Sequence, residues 1–358
     1  MSDESARPIA GQAADDYALV PAVSVDHGAL VDFVAAIWPE LAPETRIRAF
    51  WWMRAGPEHA IAAVHRTSGA MAGLCGGRRC VFVIGGRDVP AVAICDWYVA
   101  PGHVGRGLGK DLVQHFDAPE RFLYAFSISD AAIANFQKLG WMGPHRSSLM
   151  LLLVPPVLAK YVARLRRRDG LGFDAYERGG GEPLGTLGDA LDHIEAQRAG
   201  APAHMRRGAA EWSWRLSVCG ERRYRFGVAR RDGEPVGYVV VRRMTPGRIR
   251  ALDRLRTAII TDIAAARDDA VVLGALAGEA AALAADLGAH AMLTATTAAA
   301  HRAALARIGF ISPATPLVGH VLASRAPQFM WLPRGSGQGL SAGDLSLSFA
   351  DVAIDLDL

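Results

Sequence analysis

An internal repeat constrains this chain more than any other feature. Val64-His65-Arg66-Thr67-Ser68-Gly69-Ala70-Met71-Ala72-Gly73, closing on Arg78-Arg79, aligns without a gap on Val228-Ala229-Arg230-Arg231-Asp232-Gly233-Glu234-Pro235-Val236-Gly237, closing on Arg242-Arg243, at an offset of 164 residues. Each copy reads as strand, tight turn and strand, with Gly69 and Gly233 in the turn, where a positive φ is tolerated. Ala93-Ile94-Cys95-Asp96 then matches Ile259-Ile260-Thr261-Asp262 at offset 166, and Lys138-Leu139-Gly140-Trp141 matches Arg307-Ile308-Gly309-Phe310 at offset 169. Short loop insertions produce such a slow drift. Tryptophans precede both hairpins, Trp51-Trp52 in one copy and Trp212 and Trp214 in the other. Four matches in one order argue for two copies of one α/β fold, at about residues 20–156 and 205–330. The division expected is a first domain at 1–156, a helical linker at 157–204 broken by Gly179-Gly180-Gly181-Glu182-Pro183, a second domain at 205–330 and an acidic tail at 331–358.

With 358 residues, 51% of them hydrophobic, the chain can bury two ordinary cores. A formal net charge of +3 from 39 basic and 36 acidic residues supplies no field suited to nucleic acid. Cys75, Cys80, Cys95 and Cys219 match neither a zinc ligand set nor a disulfide framework, so free thiols are expected. His193, His204, His290 and His320 are scattered, and no metal site is expected. The Ser/Asp/Ala-rich start lacks an apolar signal core, and the most apolar run, Leu149 to Ala159, is interrupted by Pro155-Pro156. That run falls well short of the roughly 20 residues needed to span a bilayer. The expectation is a soluble, cytoplasmic protein with no membrane partner; a homo-oligomer is left open.

In the first copy an apolar strand, Val92 to Val99, runs into Ala100-Pro101-Gly102-His103-Val104-Gly105-Arg106-Gly107-Leu108-Gly109-Lys110 and then into the helical pattern Leu108, Leu112, Val113, Phe116. Glycines at 105, 107 and 109 let backbone amides approach a ligand. The helix start behind them favours an anion, and Arg106 and Lys110 add charge. A pyrophosphate fits such a loop. The spacing is neither the G-x-G-x-x-G of a dinucleotide turn nor a P-loop, because no Gly-Lys-Ser/Thr follows.

These residues resemble the GNAT superfamily of N-acetyltransferases, whose signature is a strand ending V-x-P followed by R/Q-x-x-G-x-G/A opening a helix. Val99-Ala100-Pro101 and Val104-Gly105-Arg106-Gly107-Leu108-Gly109 carry the likeness, and Ser129 to Trp141 is similar to the family's next helix, N-x-x-A-x-x-x-Y-x-K-x-G-F. The resemblance implies a mixed sheet, two tandem GNAT-like domains, and fourth and fifth strands that part to admit acetyl-CoA. It further implies pantetheine contacts along the backbone at Trp97 and Val99, a pyrophosphate loop formed by Val104, Gly105, Arg106, Gly107, Leu108, Gly109 and Lys110, and further cofactor contacts from Ser129, Asn135 and Phe136.

Two positions depart from the pattern. Val104 stands where the family has Arg or Gln, a place that gives mainly its backbone N–H. Phe136 stands where many members carry a tyrosine that protonates the leaving thiolate, and phenylalanine has no proton to give. An alkyl amine of pKa near 10.4 is neutral only about once in a thousand at pH 7, so a base is needed. Asp96 is the nearest carboxylate, placed by strand alternation opposite Trp97 and Val99 and alongside Tyr98. Tyr98 and Tyr124 are the remaining phenols for the acid role; His103 and His115 read as loop and helix-surface residues.

The second copy replaces the glycine loop with Arg267-Asp268-Asp269-Ala270-Val271-Val272-Leu273, whose aspartates would repel a pyrophosphate. It reads as a degenerate domain without the cofactor. Ser346 to Ile354 in the acidic tail reads as an edge strand. The function expected is acetyl transfer from acetyl-CoA to a primary amine of a small molecule, an amino sugar or amino acid. Two other readings are a non-catalytic acyl-CoA sensor or scaffold, and an aminoacyl or longer-chain acyl transferase on the same tandem fold.

Overall fold

A computed structural model describes residues 16–40, 42–153, 158, 161, 170–198, 200–220, 222–244, 255–311, 327–348 and 350. The first half contains β1 (Tyr17–Pro21), α1 (His27–Ile37), α2 (Pro43–Ala49), α3 (Trp52–Ala55), β2 (Ala60–His65), β3 (Met71–Ile84), β4 (Arg87–Val99), α4 (Leu108–Gln114), β5 (Phe122–Phe126), α5 (Asp130–Lys138), β6 (Met142–Arg146) and β7 (Ser148–Leu153). The second contains β8 (Leu171–Gly179), α6 (Thr186–Ala196), β9 (Ala203–Met205), α7 (Ala209–Val218), β10 (Arg223–Arg231), β11 (Glu234–Arg243), β12 (Thr257–Ala265), α8 (Ala270–Asp286), β13 (Ala291–Thr296), α9 (Ala299–Arg307), β14 (Gln328–Trp331) and β15 (Leu345–Ser346). Both repeated hairpins form, β2–β3 and β10–β11, with Gly69 at φ 71° and Gly233 at φ 88° in their turns.

Two mixed sheets of matching order result. One runs β1-β2-β3-β4-β5-β14-β6, with β9 and β15 branching from β3, and the other β8-β10-β11-β12-β13-β7; along these two orders β4–β5 and β12–β13 are the parallel pairs. The last strands are exchanged. Strand β14, from the end of the second copy, lies antiparallel between β5 and β6, whereas β7 leaves the first sheet and pairs along its length with β13. Both crossing strands feed one apolar cluster between the sheets, in which Leu149 and Leu151 meet Phe122, Phe126, Leu293, Phe329 and Trp331. A second shared core joins α1–α3 to α6 and α7. The tryptophans that precede the two hairpins meet there, with the Trp51 and Trp214 rings 5.4 Å apart.

The division expected from the sequence needs correction at three places. Residues 171–179 fall in the range read as a helical linker, yet they form β8, which pairs with β10 and stands in the second sheet where β1 stands in the first. Its apolar alternation is short, Leu171, Phe173 and Ala175 only, and stops at Glu177, while Asp174 and Glu177 face Arg230, Arg223 and Arg225 at a half-exposed edge. Residues 328–331 straddle the boundary drawn at 330 and belong to the first sheet. The tail is not uniformly solvated: Leu345, Ser346, Leu347, Ser348 and Ala350 are buried, and β15 pairs with β9 over two residues, while 351–358 lie outside the described residues.

Glycine explains how the helices sit on the sheets. A Cβ on Gly77 of β3 would lie 2.3 Å from the Phe116 ring, and one on Gly73 would lie 2.8 Å from Leu112. Gly237, the repeat partner of Gly73, stands 2.8 Å in the same sense from Val272 of α8. The repeated glycine marks where each helix closes on its sheet.

In the second sheet the gap beyond the β12–β13 pairing is filled. Thr294 Oγ1 donates to Ile260 O at 3.2 Å, Ser348 Oγ donates to Asp262 at 3.1 Å, Tyr238 Oη donates to Asp262 at 2.6 Å, and Arg207 pairs with the same carboxylate. Burial pushes the Asp262 carboxyl up, but Arg207 and Tyr238 outweigh it and hold it below its ordinary value. Burial, with Arg198 nearby, lowers the neighbouring His301 imidazole to about 3. No described helix is long and apolar enough to cross a membrane, and Cys75, Cys80, Cys95 and Cys219 form no disulfide with one another.

Two outcomes follow. Gly77→Val should cost about 2 kcal/mol or more through overpacking against Phe116, read as a lowered melting temperature, whereas Gly102→Ala, with nothing within 4 Å of its Cβ, should leave it unchanged. Between pH 6.5 and about 3 the unfolded chain takes up a proton that folded His301 refuses, so stability falls as pH falls through this window. Urea denaturation at stepped pH should show a slope shallower by about 1.4 kcal/mol per pH unit in His301→Leu; equal slopes would contradict the assignment.

Candidate active site

The site begins with a bulge. Leu74 pairs with Tyr98 but Gly76 pairs with Cys95, so β4 carries one extra residue, and Asp96 there takes φ 43°. The second copy repeats this at β12, where Val240 pairs with Asp262 and Val241 with Ile260. Past the bulge β4 leaves its neighbour: parallel pairing with β5 runs from Ala91–Phe122 to Ile94–Ala125 and no further, although β4 continues to Val99. The parted strands open two adjoining chambers that share Trp97, Tyr98, Ser129 and Ala132 as walls.

The larger chamber, about 630 Å³, is lined by Trp97, Val99, Val104, Gly105, Gly107, Leu108, Gly109, Lys110, Ser129 and Asn135. Thirteen of the fifteen residues singled out in the sequence border one chamber or the other; Arg106 and Tyr124 do not. Gly105 at φ 86° and Gly107 at φ 85° hold the loop in a left-handed turn that side chains resist, and Gly107 caps α4. Among the described residues, the amides of Gly105, Arg106, Gly107, Leu108 and Gly109 donate to no backbone carbonyl. They form a ring of unspent donors at a helix start. Trp97 is locked over this loop, its Nε1 donating to Gly109 O at 3.0 Å and its ring 4.6 Å from that of Phe136. His103, at the mouth, bonds the Tyr17 hydroxyl at 2.8 Å; burial, then Arg106 and His65, holds its imidazole below the usual value.

The smaller chamber, about 260 Å³, lies in the gap itself and is lined by Arg46, Ile94, Asp96, Tyr98, Ser127 and Phe136 among others. Asp96 accepts from Trp52 Nε1 at 3.2 Å and sits 3.6 Å from Arg46 Nη2, which also reaches the Tyr98 hydroxyl at 3.5 Å. Asp96 and Tyr98 therefore share one face of β4, and Trp97 and Val99 pack on the other. Tyr124 is elsewhere: 1% exposed, it packs between Phe82 and Phe122 in the core between the sheets and reaches neither chamber. Parallel pairing with Ala93 keeps it in the closed part of the sheet, below the point where the strands part. Ser129 caps α5 by accepting from Ala132 N at 3.3 Å, and Asn135 Nδ2 donates to Ala131 O at 3.3 Å, so both have local structural bonds as well as cleft positions. The reading from sequence missed Arg46 and its neighbours Trp38 and Phe50, which come from the irregular α1–α2 region and carry no motif.

The second copy lacks the donor ring. Asp269 turns its own carboxylate onto Val271 N at 2.8 Å and Val272 N at 3.2 Å and pairs with Arg231, so the start of α8 is already capped by an anion. Among the described residues no group of three or more His, Cys, Asp or Glu side chains is placed to hold a metal.

Comparison with known proteins agrees with this geometry. Residues 28–141 match the family described as Acetyltransferase (GNAT) family. No curated protein matches the chain. The fold resembles a GCN5-related N-acetyltransferase from Anabaena variabilis, 12% identical, over 88% of this chain and 72% of that one, with a TM-score of 0.52. It also resembles a GCN5-related N-acetyltransferase from Kribbella flavida, 15% identical over 90% and 72% with a TM-score of 0.52. A tandem GNAT protein from the clavulanic acid biosynthesis pathway is 18% identical over 88% of this chain and 98% of its own, again with a TM-score of 0.52. Residues 28–141 thus match the GNAT acetyltransferase family model, and the chain as a whole shares its fold with GCN5-related and tandem GNAT structures.

Proposed function

We propose that the first copy is an acetyl-CoA-dependent N-acetyltransferase acting on a primary amine of a small molecule. The observation that carries this reading is the parting of β4 from β5 directly beneath a loop of unbonded amides. The residues suit the cofactor: Gly105 and Gly107 keep the loop free of side chains, Lys110 lines the same chamber, and Trp97 and Val99 offer an unpaired strand edge to a pantetheine amide. Acetyl-CoA, when bound, supplies an activated acyl group, so that an amine C–N bond forms as the C–S bond breaks, and coenzyme A leaves as the thiol with the proton the amine loses.

The chain's own groups must orient the amine and move that proton. Asp96 is the base in this reading, directly or through one water, because its carboxylate lines the gap and is fixed by Trp52. Backbone N–H groups along the open edge of β4 polarise the thioester carbonyl. Phe136 gives no proton from the position where relatives often have a phenol, which suits a leaving group of thiol pKa near 8.5 that departs unaided. That same residue, 2% exposed and packed at a tilt between Trp97 and Trp141, is what favours the second reading, a sensor that binds without turnover.

Thiol release from acetyl-CoA, measured across a panel of primary amines, separates the two. The transferase reading expects amine-dependent release, with kcat reduced on the order of 100-fold in Asp96→Asn. Tight acetyl-CoA binding with no release for any amine would contradict it and support the sensor.

A further inference from the structure

The smaller chamber contains a charge pair that the transfer chemistry leaves unexplained. Arg46 rises from α2 with its guanidinium 4.5 Å over the Trp38 ring and 5.2 Å from that of Phe50, its side chain 17% exposed. Its Nη2 touches Tyr98 and Asp96 only at long range, 3.5 and 3.6 Å, and its Nε is buried with no acceptor. A guanidinium carries five donors in a fixed fork that matches a carboxylate, and a largely buried fork held over Trp38, with spare donor capacity on the chamber side, is preorganised for one. A few ångströms away, Asp96 presents the opposite charge to the same space.

We infer that this chamber recognises an acceptor carrying a carboxylate beside its amine, that is, a free amino acid, with the carboxylate on the Arg46 guanidinium and the amine toward Asp96. This rests on the transferase reading and narrows its acceptor. A cation and an anion separated by less than 4 Å match the two charges of an amino acid, which are separated by one carbon. An amino sugar offers the Arg46 fork only neutral hydroxyls, and a diamine would bring a second cation against it. Trp38 and Phe50 hold the guanidinium plane in place, so the fork need not reorganise on binding.

Matched pairs test this: L-phenylalanine with phenethylamine, L-histidine with histamine, L-lysine with cadaverine. With acetyl-CoA saturating, thiol release by the full chain should favour the amino acid of at least one pair on the order of 100-fold in kcat/KM. In Arg46→Gln that ratio should collapse toward one, mainly through KM. Arg46→Lys, which keeps charge without the fork, should recover only part of it. Preference for the decarboxylated partner in every pair, or an unchanged ratio in Arg46→Gln, would overturn the inference. A turnover-independent arm uses the N-acetyl amino acids and N-acetyl amines as product probes in calorimetry. Absence of all turnover with carboxylate-dependent binding that Arg46→Gln removes would sink the transferase reading and keep this one; carboxylate-independent or absent binding would sink this one.

Discussion

The exchange of terminal strands is the interaction on which the rest of the structure depends. Because β14 supplies the first sheet and β7 the second, neither copy completes its own sheet, and the apolar residues on these strands are buried only when both halves are present. At roughly 1.5–3 kcal/mol for each fully buried large apolar side chain, a cluster containing Leu149, Leu151, Phe329 and Trp331 makes the tandem one cooperative unit rather than two linked domains. The same exchange fixes the site. With β14 occupying the far side of β5, that strand is held in place, and the departure of β4 after its bulge opens a gap on one side only.

One architecture gives two outcomes because a few residues differ at matched places. Both copies carry the bulged fourth strand, the parallel fifth strand and a helix seated on a glycine. In the first, glycine at the helix start leaves amides unbonded and the gap open. In the second, Asp269 satisfies the helix start, and Asp262, Ser348 and Thr294 occupy the gap with hydrogen bonds. Asp96 and Asp262 sit at equivalent positions, yet one faces a chamber with Arg46 and the other is sealed between Arg207 and Tyr238. The second copy has turned a cleft into a polar core that braces the first.

Much of this was legible in the sequence because it repeats. The hairpin pair, the glycine turn and the loop of Gly105 to Lys110 each recur in, or depart visibly from, the matching segment, and comparison within one chain replaces comparison between chains. Three things were hidden. Strand β8 carries only a three-position apolar alternation, Leu171, Phe173 and Ala175, and its other pairings are charged edge residues. The exchange of β7 and β14 is a long-range choice, since either strand would satisfy either sheet on local pattern alone. Arg46 comes from a helix of seven residues without a motif and reaches the chamber only through the packing of α2 against α1 and β4. The assignment of Tyr124 to the cleft failed for a related reason, because β5 is pinned below the parting point by its register with β4.

Calorimetric titration of acetyl-CoA into the full chain, with Gly107→Glu in parallel, tests the central claim most directly. The account predicts one site per chain, with binding abolished in the variant because its side chain fills the amide ring, while the fold is retained by circular dichroism. Two sites per chain, or binding that survives in Gly107→Glu, would contradict the division between an open first copy and a sealed second. Absence of binding by the folded parent would contradict the reading of the first copy as the cofactor site.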